Sequence, residues 1–456
     1  MSDSDAGARA PGLLNFADAR ADFIAGTDSP SAYLEHRLER IAARNDVIKA
    51  FVVTNEAAAR VAAAQADQRY RAGKPLSPID GLPFGIKDVL ETADMPTGMG
   101  SPIFAGRETG RDAAAVRALR QAGAIIVGKT VTTEFAFLTP AETCNPLDPI
   151  RTPGGSSSGS AAAVADGMVC AALGTQVVGS VIRPSAYCGA VAFKPSFGAL
   201  NRGGTQVSLS QNHIGVHGAT VGDTWAVARA IAGRTGGDPG RQALNGPDTA
   251  PPPRKPVTLG LLQTGGWQDA EPAARTALAA LTDRLRAAGV TIVDRTGNDR
   301  IDALEKAITN ARDVSLEICG FELQWPLDNY RGDQGSRLSP GLEARMAEWA
   351  KITVADYEAS LALRAEMRRA HAAIAKDIDG LITLSAPSIA PVGLETTGNP
   401  VFAAPATILG APAFSLPLMA LDGMPLGLQG IGFPDHDADL AGIVQWVTDV
   451  VENTGG

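Results

Sequence analysis

The stretch TPGGSSSGSAAAVADGMVCAALGTQVVGSVIRPSAYCGAVAFKP, from Thr152 to Pro195, packs serines and glycines against apolar runs of helical and strand length. Its pattern predicts a helix over Ser158–Ala165 and strands near Val169–Leu173 and Ala190–Lys194. Taken alone, Gly154 to Ser160 reads as a flexible loop with a Ser N-cap ahead of the AAAVA helix. A phosphate cradle fails on detail: the Walker pattern needs Lys and then Ser or Thr after its last Gly, and here Gly159 is followed by Ser160 and Ala161. A dinucleotide fingerprint fails as well, because no G-x-G-x-x-G follows a strand.

Working outward, LPFGIKDVL reads as a strand, Asp112 to Gln121 as a helix and AIIVGK from Ala124 as a strand. That β, α, β order marks a parallel or mixed sheet. A helix is expected from Asp223 to Ala232, followed by a linker at PDTAPPPRKP, Pro247 to Pro256. Beyond it, VTLGLL and VTIVD read as strands around a helix from Glu271 to Ala288. Residues 301–376 read as largely helical. Strands return at LITLSAP, AFSLPL and LGLQGIGF before a closing helix from Asp437 to Val451. Before all of this, Phe16 to Tyr70 alternates Ala, Leu and Ile with charges at helical spacing, predicting two or three helices. Because strands occur on both sides of the linker, the chain reads equally as one sheet built from both halves or as two domains.

Gly and Pro make up 80 of the 456 residues, about 18% against a usual ~12%, so tight turns and close backbone approaches are expected. The net charge is -9 with no basic run, which argues against a nucleic-acid or membrane partner and favours small-molecule work. Cys144, Cys170, Cys188 and Cys319 lack C-x-x-C spacing, so they read as reduced, mostly buried thiols rather than zinc ligands or disulfides. The N-terminus has neither a basic nor an apolar leader region, and the expected location is cytoplasmic.

Several segments together resemble the amidase signature family: GLPFGIKD from Gly81, AIIVGKTVTTEFAF from Ala124, NPLDPIRTPGGSSSGSAAAVA from Asn145, GSVIRPSAYCG from Gly179 and GMPLGLQGIG from Gly423. The resemblance implies an α/β fold, an α/β/α sandwich with a large mixed β-sheet core. Residues 1–70 would form an N-terminal helical wrap and 71–456 a single domain, with a catalytic core at 80–235 and a variable substrate-pocket region at 301–376. It implies a cofactor-free, metal-free serine hydrolase of C–N bonds. Ser180 would be the nucleophile, Ser156, after a cis bond to Gly155, the proton relay, and Lys87 the base. The 24-residue separation of the two serines matches the family's usual offset. Chemically, a Ser hydroxyl needs a neighbouring base, and a lysine serves if burial lowers its pKa from ~10.4 towards ~7. Without the joint pattern, Lys87 would read as a solvated lysine or an ion pair with Asp88.

The resemblance assigns the oxyanion hole to the backbone N–H groups of Val177, Val178, Gly179 and Ser180. Val178 replaces a usual Gly, so a φ > 0 there would strain the valine, and Gln176 stands where Asp is common. Arg183 is a candidate for a substrate carboxylate, and Gln176 and Phe402 are further candidate substrate contacts. His213 and His217 at i, i+4 invite a metal reading, but no H-E-x-x-H is present and a loop-to-helix structural role is favoured. Trp325, Tyr330 and Trp349 would be pocket wall or core. The expected substrate is a small linear or aryl amide, anilide or carbamate, acted on by a monomer or homodimer. The alternatives are a non-catalytic protein that keeps the fold and one subunit of an amidotransferase.

Overall fold

The computed structural model describes residues 9–137, 139–205, 209–332 and 337–453. The strands are β1 (Phe51–Thr54), β2 (Pro83–Lys87), β3 (Ile125–Thr130), β4 (Ala171–Gln176), β5 (Val191–Lys194) and β6 (His213–Gly218). After the linker come β7 (Thr258–Leu261), β8 (Thr291–Val293), β9 (Gly380–Leu384), β10 (Ala413–Leu421) and β11 (Met424–Ile431). They form one sheet in the order β1-β3-β2-β4-β6-β5-β10-β11-β9-β7-β8. Strands β3, β2 and β4 run parallel, as do β9, β7 and β8, and antiparallel pairs join the two parallel blocks. Both sides of the linker therefore build the same sheet.

Both faces of the sheet are covered, as the two-residue period of the strands shows. Along β5, Val191 and Phe193 join one core while Ala192 joins another. Along β3, Ile126 joins the first core and Ile125 and Val127 join a third. Helices Val221–Thr235, Pro272–Ala287 and Asp437–Asn453 supply the first core; Ser158–Ala165 and Ile182–Cys188 lie on the other side. This is the expected mixed-sheet sandwich. All four cysteines are free and buried. Among the described residues no helix is long and apolar enough to cross a membrane.

Two segments depart from expectation. The N-terminal region contains helices Phe16–Ala25, Pro30–Ile48 and Glu56–Arg71, but it also contributes β1, which pairs with β3, so it is not helical throughout. The Asn45 side chain explains the break: its Oδ1 accepts from the N–H groups of Ala50 and Phe51, ending the helix and starting the strand. HIGVH is not a loop entering a helix but the interior strand β6. Ile214 and Val216 face one core, while His213, Gly215 and His217 share the other side. An i, i+4 spacing falls on one face of a strand as well as of a helix, which is why the histidine spacing misleads.

Lys194, at the buried end of β5, donates from Nζ to the carbonyls of Pro195 and Ala411. Burial pushes its pKa down to about 7, despite nearby Asp437. The unfolded chain keeps this lysine charged up to about 10.5, so its contribution to stability is full above that value and falls as pH drops towards about 7. The slope is up to ~1.4 kcal/mol per pH unit. Lys194→Met should therefore flatten the rise in urea-unfolding free energy between roughly pH 7.5 and 9. An unchanged slope in the variant would show that the native lysine is charged.

Candidate active site

Parallel neighbours β2 and β4 end side by side, in register at Ile86 and Leu173, and the site is built on their carboxyl ends. Lys87 is the last residue of β2 and is 0% exposed. Its Nζ lies 2.7 Å from Ser156 Oγ, 2.9 Å from Thr175 Oγ1 and 3.3 Å from the Thr175 carbonyl. Among the described residues no carboxylate pairs with it: Asp88 turns away to Lys129, 3.0 Å distant, and accepts from the Gly98 N–H. Burial alone pushes the Lys87 pKa well below the usual lysine value. A neutral amine here can donate to the two Thr175 oxygens, which leaves its lone pair for the Ser156 hydroxyl. No sequence motif singles out Thr175; its place at the end of the strand beside β2 is the signal that finds it.

Ser156 is 2% exposed and follows a cis peptide bond from Gly155. The serine-rich stretch is ordered rather than loose. Ser160 bridges Thr130 Oγ1 and the Leu173 carbonyl, and the Ser156 carbonyl accepts from Thr133 N–H. Gly154 has φ +80°, and a Cβ there would come 2.8 Å from Pro184 Cα, so two constraints require glycine.

Ser180 sits in the turn between β4 and helix Ile182–Cys188, its carbonyl accepting from Ser157 N–H at 3.4 Å. It is partly exposed, unlike Lys87 and Ser156. Among the described residues no hydrogen bond joins the Ser156 and Ser180 hydroxyls. The short helix has no clear sequence signal because Pro184 stands within it; at the third helical position the missing proline N–H costs no helical hydrogen bond.

The preceding turn is held by its carbonyls. Val177 O accepts from Gln211 Nε2 at 3.1 Å and Val178 O from Thr407 Oγ1 at 2.9 Å. Gln176 Oε1 takes the N–H groups of Val181 and Ile182, at 2.7 and 2.9 Å, and its Nε2 donates to Thr407. Among the described residues the N–H groups of Val177, Val178, Gly179 and Ser180 have no protein acceptor. Consecutive unpaired donors in a largely buried turn are unusual and make an anion-receptive concavity. Val178 is not among the residues with positive φ, so the valine is unstrained there. Gly179 is needed for space instead: a Cβ would meet Pro400 Cβ at 2.8 Å. Gly179→Ala should displace this turn and lower turnover by ~10²–10³-fold, measured as kcat on any accepted substrate. Full activity would show that the donors are not used.

The remaining candidates fall elsewhere. Gln176 is fully buried, and both of its polar atoms are taken by the turn and Thr407, which leaves neither for a ligand. Phe402 is likewise fully buried and packs in the main core, while Pro400 and Ala403 border Gly179. Arg183 is 4% exposed and donates from Nη2 to the Gly155 carbonyl at 2.7 Å and to Thr397 Oγ1 at 3.0 Å. Burial pushes its pKa down to about 10. His217 holds Ser185 Oγ at 2.7 Å, and burial keeps it neutral, its pKa pushed down to about 3. Tyr330 stacks on Phe135, and Trp349 meets Phe137 edge-on, in a cluster that includes Val177; Trp325 is exposed.

The family profile for amidases matches residues 32–440. Over 465 aligned residues, covering 94% of each chain, the protein is 32% identical to a glutamyl-tRNA(Gln) amidotransferase subunit from Chloroflexus aggregans. A chain from the structure of a vestigial protein complex that reveals the evolutionary origins of an s-triazine catabolic enzyme superposes with TM-score 0.84 at 26% identity, covering 97% of this chain and 99% of that one. The peptide amidase of Stenotrophomonas maltophilia gives TM-score 0.71 at 26% identity over 96% of both chains. With the sheet, the match across most of the chain and the overall likeness in agreement, the protein belongs to the amidase signature family.

Proposed function

We propose that this chain hydrolyses the C–N bond of a small amide, anilide or carbamate through an acyl-enzyme on Ser180. The observation that carries this reading is the buried Lys87 amine 2.7 Å from Ser156 Oγ, beside a turn with four unpaired N–H groups. Ser180 Oγ attacks the substrate carbonyl, its proton passes to Ser156 and from Ser156 to Lys87, and the N–H groups of residues 177–180 receive the oxyanion. The relay then runs backwards: the proton reaches the departing nitrogen, the C–N bond breaks, and water releases the acid by the same route. Gln176 and Thr407 position the turn, and Arg183 holds the Gly155 carbonyl beside the relay. Tyr330, Trp349 and their neighbours, in the same apolar cluster as Val177, favour a substrate with an apolar or aryl group.

A second reading is favoured by the 32% identity to one component of an amidotransferase. In that reading the same acyl-enzyme step frees ammonia from an amide donor for a partner-bound acceptor. A panel of aryl amides, urethanes, ureas, dicarboxylic monoamides and glutamine, offered to the isolated chain, separates the two. Turnover of aryl amides or urethanes supports the hydrolase. Turnover of glutamine alone, and only when the other amidotransferase components are added, supports the second reading.

A further inference from the structure

On an acidic chain of net charge -9, many arginines have a carboxylate partner, as Arg69 has Asp80 at 2.6 Å and Arg44 has Asp166 at 2.9 Å. The half-buried Arg364 and Arg368 and the exposed Arg241 do not: among the described residues no carboxylate lies within 4 Å of any of them. Arg241 and Arg368 line a cleft of about 310 Å³ together with Phe197, Gln242, His371 and Asp435. Arg368 donates from Nε to the Ile408 carbonyl at 2.9 Å, but its Nη2 is buried without a hydrogen-bond partner. Arg241 is spread over the Phe197 ring, 5.2 Å from its centroid, and Arg364 reaches Ser210 Oγ at 2.8 Å. His371 is 1% exposed, and its Nε2 also has no partner.

Guanidinium groups gathered without counter-charge cost free energy unless an anion joins them. Burial and repulsion from Arg364 and Arg241 push the Arg368 pKa down to about 10, the direction expected of uncompensated positive charge. Burial pushes His371 down to about 4, so at neutral pH it is an uncharged imidazole able to donate from Nε2. Asp435 at the mouth is exposed and repels anions, which confines a ligand to the arginine side. The volume suits a small ion and not a polymer backbone.

We propose that this cleft binds a compact oxyanion, phosphate or carboxylate, between Arg368, Arg241 and the His371 imidazole. The site lies away from Ser180 but adjoins the end of helix Ala404–Ile408, whose Thr407 holds the Val178 carbonyl. The inference does not depend on the catalytic reading, because its test reads binding alone. Inorganic phosphate and sodium acetate are titrated separately into the full chain by calorimetry, against chloride at equal ionic strength. The expected result is saturable one-to-one binding of at least one of the two, weakened about tenfold in Arg241→Gln and Arg368→Gln. Phosphate alone, or acetate as well, then says which oxyanion the cleft takes. Arg241 is exposed and makes no ion pair, so its variant keeps the fold even if Arg368→Gln does not. Absence of saturable binding for both anions, or equal affinity in wild type and Arg241→Gln, would overturn the proposal.

Discussion

Lys87→Ala should lower turnover by ~10²–10⁴-fold, the usual worth of a positioned general base, while the protein remains folded. The wild-type lysine is fully buried and, among the described residues, has no carboxylate partner, so the fold does not draw on its charge. Lys87→Met, which keeps most of the stem, should be equally inactive; that separates loss of the amine from loss of packing. The pH profile gives the same role a sign. Only the neutral amine accepts a proton, so kcat/KM should rise with pH through the lowered Lys87 pKa and level off well short of the ordinary lysine value of 10.5. A profile still climbing as steeply near pH 10 would mean that this amine is charged in the resting enzyme, and unchanged turnover in Lys87→Ala would remove it from the mechanism.

Ser156→Ala should cost a similar ~10²–10⁴-fold, because the hydroxyl is the one group that Lys87 shares with the nucleophile side of the site. In the variant the amine keeps only the two Thr175 oxygens, and a proton leaving Ser180 has no relay to reach it. The loss should fall on kcat, with KM little changed, since Ser156 is almost wholly buried and offers little surface to a substrate. Raised KM at constant kcat would instead make Ser156 a binding residue.

How far the site can be read from the sequence follows from what each signal encodes. The β2, helix, β3 order and the Ser158–Ala165 helix are legible because short apolar runs between glycines carry their own punctuation. The pairing of Lys87 with Ser156 is legible only through the family resemblance, since 69 residues separate them and only the parallel register of β2 and β4 brings Lys87 to Thr175. Strand β6 is not legible: its histidines and glycines hide an interior strand whose core is small because neighbouring elements come close, as Gly215 does to Val181. Space beside Pro400 is what requires glycine at 179, and the ordinary backbone at Val178 removes the strain expected there. The substrate contacts are least legible. Gln176 and Phe402 look available in a linear sequence, and only burial shows that one secures a turn and the other fills the core.

The central claim is that Ser180 is an activated nucleophile and that Lys87 activates it. Incubation with a serine-directed fluorophosphonate, followed by peptide mass spectrometry, tests both halves without a known substrate. The account predicts a single adduct on Ser180 that forms readily in the wild type and far more slowly in Lys87→Ala. Absence of the adduct, or labelling at the same rate in both proteins, would contradict it.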